Sequence, residues 1–155
     1  MQLPSWTFWD YVSLSELIVL LSPLYFWFTT YNVIHLIAFA GIILTMGITE
    51  SIKHFVLPTW SRPSGAKGCD LLCLSPNDEG KPGMPSGHMS SLGFYAGFYK
   101  ITDPLFYVYG LLVAASRWAK RCHTPAQITA GAVMGAGLGL LGRNRIEGHL
   151  HAKFE

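Results

Sequence analysis

Five apolar stretches separated by polar clusters divide this chain, at residues 11–28, 33–57, 86–101, 105–119 and 126–141. A helix needs about 20 largely apolar residues to cross the hydrocarbon core of a bilayer, and fewer if its ends dip in. The pattern therefore predicts an all-α fold: a polytopic membrane helical bundle of about five transmembrane helices, one domain over 1–155, with an active site at one membrane face. The first stretch opens on Trp6, Phe8 and Trp9, which suit an interfacial aromatic belt. Ser22-Pro23 predicts a kink in it, and Glu16 is an awkward charge inside it. The second turns polar at Glu50 and Lys53 and is ended by Pro58. The third is short, roughly 24 Å at 1.5 Å per residue. Thr102-Asp103-Pro104 makes a tight turn before the fourth. The fifth carries Gly131, Gly135 and Gly139 on one face, where small residues let a neighbouring helix come close; dense packing within the chain is the expected use. Between the second and third stretches, 59–84 is rich in Gly, Pro, Ser and charge and reads as a surface connection.

Counting crossings gives a stronger result than any one stretch. The second helix leaves on one side at Lys53, and the third starts from that side at Ser86. The fourth returns there at Arg117, and the fifth departs from it near Pro125. Three clusters far apart in sequence are thus expected on one face: Lys53 with Arg62, Ser86 with His88, and Ser116 and Arg117 with His123.

Composition supports the membrane setting. Half the residues are apolar and 13% are charged, against about 25% in an ordinary soluble domain, and the mean hydropathy is +0.32. A net charge of +2 gives no reason to expect a nucleic-acid partner. The three cysteines lack zinc-site spacing. Cys69 and Cys73 share one loop, where a disulfide between them is one option in an oxidising compartment and free thiols are the other. The N-terminus lacks a basic n-region and a small-residue cleavage site, so the first span is expected to insert and stay.

Taken singly, each polar residue has a plain role. Ser86 suits a helix N-cap, an arginine can snorkel, and a lone histidine is usually a hydrogen-bonded structural residue. Together they make an anion site, since ionisable groups at a membrane boundary are costly and tend to be paired or functional. Arginine forks bind phosphoryl oxygens bidentately, and a helix start offers free N–H groups and a positive dipole end. Of two histidines, one can attack phosphorus while the other protonates the leaving oxygen. Asp70, Asp78 and Glu79 are scattered through one loop, so no carboxylate cluster suggests a hard metal. No metal and no cofactor are expected; arginine and lysine would neutralise the phosphate charge.

"KHFVLPTWSRP" (53–63), "PSGH" (85–88) and "SRWAKRCH" (116–123) resemble the three signatures of the type 2 phosphatidic acid phosphatase superfamily, in the expected order. The resemblance implies a membrane phosphatase acting on lipid phosphates or diphosphates. It implies His123 as the nucleophile forming a phosphohistidine and His88 as the general acid. Arg62, Arg117, Lys53, Ser86 and the Gly87 backbone N–H would bind the phosphoryl oxygens. Two positions depart from the pattern. Eight residues separate Lys53 from Arg62, two more than usual. Gln127 stands where an aspartate normally orients the nucleophilic ring; its carbonyl is expected to accept the imidazole N–H instead. "HTPAQ" (123–127) is similar to the form in dolichyl-diphosphatases and tilts the substrate expectation toward a polyisoprenyl diphosphate.

The resulting expectation is a multi-pass integral membrane phosphatase whose partners are the bilayer and a lipid phosphate or diphosphate. Alternatives are an inactive lipid-phosphate binder or transporter, and a vanadate-dependent peroxidase-like enzyme. Lys and Arg are commoner on the site face, which by the positive-inside rule would make it cytoplasmic; without the three site cations that bias vanishes. The family habit favours a site facing lumen, periplasm or exterior. Oligomeric state is not legible.

Overall fold

Helical segments form at all five apolar stretches in the computed structural model, which describes residues 6–151. They are α1 (Phe8–Leu14), α2 (Glu16–Thr30), α3 (Val33–Ser51) continuing into a π-helical turn (Ile52–Val56), α4 (Gly87–Tyr99), α5 (Pro104–Ala119) and α6 (Pro125–His151). Among the described residues there is no strand, only an isolated bridge between Ser61 and Pro82. Two segments are long and apolar enough to cross a membrane, Phe8–Thr30 and Val33–Val56. The other three are helices without that combination: α4 has only 13 residues, roughly 20 Å of helix.

Local chemistry moves several expected boundaries. The helix α2 continues through Pro23. Proline cannot donate to the Val19 carbonyl four residues back; the Ser22 hydroxyl donates to that carbonyl instead, at 3.1 Å. The break in the first segment falls at Ser15, whose Oγ donates to Val12 O at 2.7 Å. Asp103 caps α5 by accepting from the Leu105 N–H at 2.8 Å, with Pro104 in the first turn, where its missing N–H costs nothing. Further on, α6 continues to His151 rather than stopping at 141. Its polar end is held by Glu147, which accepts from Arg143 Nε at 2.7 Å and from Lys100 Nζ at 2.6 Å.

The closest pairing is between α4 and α6. A Cβ built on Gly131, Gly135 or Gly139 would overlap the carbonyl oxygens of Ser86, Ser90 and Phe94, and one on Gly93 or Gly97 would overlap those of Ala132 and Ala136. The small residues are therefore reciprocal, and the backbones touch with no side chain between them. Around this pair, Leu20, Ala38 and Ile42 pack on Phe94 and Phe98, while Val19 and Val113 pack on Met89 and Leu92.

The connection between α3 and α4 is an ordered cap over one end of the bundle. Buried Asp78 organises it, accepting from the Cys69 N–H (2.9 Å), Ser75 Oγ (2.8 Å) and Lys81 Nζ (2.9 Å). Cys69 is disulfide-bonded to Cys122, with Cα atoms 5.4 Å apart, so the Cys69–Cys73 option is not the one realised. The cap folds back onto the α5–α6 turn, where Lys120 Nζ donates to Gly68 O at 2.7 Å, and Cys73 remains a free thiol.

Gly135→Ala is expected to lower stability by on the order of 1–3 kcal/mol through forced separation of α4 and α6, read as a lower unfolding midpoint in detergent. Gly137→Ala, where a Cβ meets nothing within 4 Å, is expected to be neutral or slightly stabilising; equal effects would refute the packing assignment. Because the disulfide closes a sequence separation of 53 residues, Cys122→Ala is expected to cost about 2–4 kcal/mol, measured under non-reducing conditions.

Candidate active site

Close packing of α4 on α6 sets their N-termini side by side, and the Ser86 N–H donates to Gln127 O at 3.0 Å. Ser86 is the residue before α4, as expected of an N-cap, but its hydroxyl makes no capping bond. Gly87 and His88 follow in the first turn, where backbone N–H groups have no intrahelical acceptor. At the end of α5, Arg117 O accepts from both Cys122 N (2.9 Å) and His123 N (3.2 Å). That wrapped turn aims His123 back toward α4.

Lys53 stands in the π-helical turn, 3% exposed and ion-paired with Glu50. A Cβ on Gly87 would lie 3.6 Å from its Nζ, so the lysine reaches the start of α4 despite its unusual distance from Arg62. The cap supplies Arg62, whose N–H donates to Lys81 O at 2.9 Å and whose Nε lies 3.5 Å from Pro82 O. A cavity of about 310 Å³ is lined by Lys53, Arg62, Gly87, His88, His123 and, unexpectedly, Glu16. Arg117 is fully buried. Its Nη1 donates to Ser13 Oγ at 3.1 Å and its Nη2 to Cys69 O at 2.7 Å.

Six buried side-chain atoms among the described residues make no hydrogen bond within the chain: Glu16 Oε2, Arg62 Nη1, Ser86 Oγ, His88 Nε2, Arg117 Nε and His123 Nδ1. Buried polar atoms are normally partnered. Here the exceptions come from the three expected clusters together with Glu16.

The electrostatics are those of an anion site. Burial, then the nearby Arg117, Arg62 and Lys53, holds His123 well below the ordinary histidine range, so the ring is neutral and its lone pair available. Burial also pulls the Arg62 guanidinium down, while Asp78, Glu50 and Asp70 pull the other way. Burial alone would raise Asp78, but the Cys69 N–H, Lys81 and Ser75 hold it below the usual carboxylate range.

Gln127 lies beside His123 and also binds three backbone groups. Its Oε1 accepts from the Thr124 N–H at 3.0 Å, and its Nε2 donates to Trp60 O at 3.3 Å and Ser61 O at 3.0 Å. It ties the cap segment leading into Arg62 to the start of α6. An aspartate has no N–H to donate to those two carbonyls, which gives the amide a physical reason at this position.

Sequence reasoning missed three contributors. Glu16 was conspicuous as a carboxylate inside an apolar run, but nothing pointed to its partner. It is 2% exposed, and its Oε2 lies 3.2 Å from His88 Nε2. Asp78 looked like one of several scattered loop acids, and Cys122 gave no sign of its pairing.

A family model described as PAP2 superfamily matches residues 34–147, a span that includes Lys53, Arg62, Ser86, His88, Arg117, His123 and Gln127. No curated protein matches the chain, and no solved structure matches it.

With its protonation suppressed in the folded state, His123 is expected to titrate with a midpoint below 6.5 when followed by histidine NMR in the ligand-free protein. A midpoint at or above 6.5 would contradict the electrostatic reading. Below about pH 6.5 the unfolded chain binds a proton here that the folded chain does not, so this residue's contribution to stability falls on acidification.

Proposed function

The chain belongs to the PAP2 superfamily, and from that premise we propose that it is a membrane phosphatase hydrolysing a lipid phosphate or diphosphate through a phosphohistidine. The observation that carries this reading is one small cavity lined by Lys53, Arg62, Gly87, His88 and His123, with the buried, unpartnered Ser86 and Arg117 donors close by. Arg62 Nη1, Arg117 Nε and Ser86 Oγ, the Lys53 ammonium and the first N–H groups of α4 are the donors a phosphoryl group needs. His123 attacks phosphorus as a neutral ring. His88 gives a proton to the leaving oxygen, then takes one from the water that hydrolyses the phosphohistidine. Cationic side chains stabilise the charge that develops on the phosphoryl oxygens.

A lipid substrate is supported by the surroundings. Large apolar side chains face outward on several helices, among them Ile18, Leu44, Leu105, Leu111 and Val133, each at least 65% exposed. So many exposed large apolar side chains are unusual for a soluble monomer and suit a bilayer surround. An apolar groove of about 760 Å³ lies between α4, α5 and α6, lined by Met89 and Ile128 among others. These are the neighbours of His88 and Gln127, so a lipid tail in the groove would keep its phosphate near the site. "HTPAQ" favours a polyisoprenyl diphosphate as the first substrate to try. The Cys69–Cys122 bond beside the site supports a face open to an oxidising lumen, periplasm or exterior.

The test is phosphate release by purified protein in detergent with EDTA, over phosphatidate, phosphatidylglycerophosphate and polyprenyl diphosphates. His123→Ala is expected to reduce release by about 10³-fold or more and to abolish the acid-labile phosphoprotein seen on quenching. Unchanged release in that variant would remove His123 as nucleophile. Tight phosphate binding without turnover on any substrate would favour a binder or transporter, and vanadate-dependent halide oxidation a peroxidase-like enzyme.

A further inference from the structure

We propose that Glu16 is a positioning residue for the leaving-group acid: its carboxylate orients the His88 ring and stabilises the proton that His88 delivers. The inference rests on the phosphohistidine reading for the role of His88, and adds a residue that lies outside all three signatures and outside the matched span 34–147.

Four observations carry it. Glu16 opens α2 and is 2% exposed, a burial that costs several kcal/mol for a carboxylate unless something repays it. Its Oε2 lies 3.2 Å from His88 Nε2, and both atoms are buried without a hydrogen-bond partner among the described residues. Glu16 and His88 both line the cavity that Lys53, Arg62 and His123 line. Finally, the charges acting on His88 from its other sides are cationic or titrate to cations: Arg117 from α5, Lys120 and His123 from the α5–α6 turn, and Lys53 from the π-helical turn. A proton on His88 amid those cations is unfavourable, and the carboxylate on α2 is the group placed to offset it.

The chemistry follows the logic of a carboxylate that holds a catalytic imidazole in one orientation. In the proposed pairing Glu16 faces Nε2 at 3.2 Å, and Nδ1 is the ring nitrogen left for the leaving oxygen. As the His123–phosphorus bond forms and the phosphorus–oxygen bond to the leaving group breaks, the Nδ1 proton moves to the departing oxygen and His88 becomes neutral. In the second half, water attacks phosphorus and its proton goes to Nδ1 while the phosphorus–nitrogen bond breaks. The pair returns to its starting state, with one proton on Nδ1 and one between Nε2 and the Glu16 carboxylate.

The decisive readout is leaving-group dependence, which mere structural damage does not produce. A lipid phosphate expels a poor leaving group and needs the proton; p-nitrophenyl phosphate expels a stable phenolate and scarcely needs it. Glu16→Gln in the full chain is expected to lose about 10²-fold in kcat on the lipid substrate and no more than about threefold on p-nitrophenyl phosphate. The unfolding midpoint is expected to stay near wild type. Equal losses on both substrates, or no loss on either, overturn the proposal. If Glu16→Gln does not fold, Glu16→Asp decides: the shorter carboxylate is expected to give a smaller split in the same direction, and equal losses overturn it. His88→Ala and His123→Ala keep the two readings apart. A His123→Ala chain that still turns over, or a His88→Ala chain without leaving-group bias, defeats the phosphohistidine reading. With those controls behaving as expected, a Glu16→Gln chain without the split defeats only the assignment of Glu16.

Discussion

Everything at the candidate site depends on how closely α4 approaches α6. The carbonyls of Ser86, Ser90 and Phe94 lie where side chains at Gly131, Gly135 and Gly139 would be, so the register depends on glycine at those positions. That register puts the start of α4 beside the start of α6, joined by the bond from Ser86 N to Gln127 O. His88 and His123, 35 positions apart in the chain, become walls of one cavity as a result. The constraint is steric and largely indifferent to solvent, so it serves equally well where no hydrophobic force drives helices together.

The second layer of organisation is the cap between α3 and α4. Its polar backbone is satisfied internally through Asp78 and is pinned to the α5–α6 turn by the Cys69–Cys122 bond and Lys120. The same loop delivers Arg62 and offers the Cys69 carbonyl to Arg117. Site and scaffold therefore share atoms. Through that loop one arginine is delivered to the site and another is seated.

Burial of so many cations without matching carboxylates is the unusual feature energetically. Lys53 has Glu50, but Arg117 is held by a hydroxyl and a carbonyl alone, and Arg62 keeps one nitrogen unpartnered. Such an arrangement is costly in isolation and favourable around an anion. On the proposed reading a phosphoryl group supplies the missing charge, and Glu16 supplies it locally for His88.

Much of this was legible from the chain alone. Helix number follows from apolar runs, because hydrophobicity is a property of residues and survives without coordinates. Convergence of Lys53, Arg62, Ser86, His88 and His123 follows from counting crossings, which needs only helix order. The glycine face of α6 was readable from its four-residue spacing. Pairings were not readable. Cys69 chose Cys122 over the nearer Cys73, Gln127 turned its amide to the carbonyls of Trp60 and Ser61, and Glu16 met His88 from a helix that carries no signature. Composition and periodicity determine which segments are helical and which faces are polar, because those follow from solvent preference. Which polar atom meets which is decided by three-dimensional packing, because hydrogen bonds and disulfides depend on distances of a few ångströms that no spacing along the chain encodes.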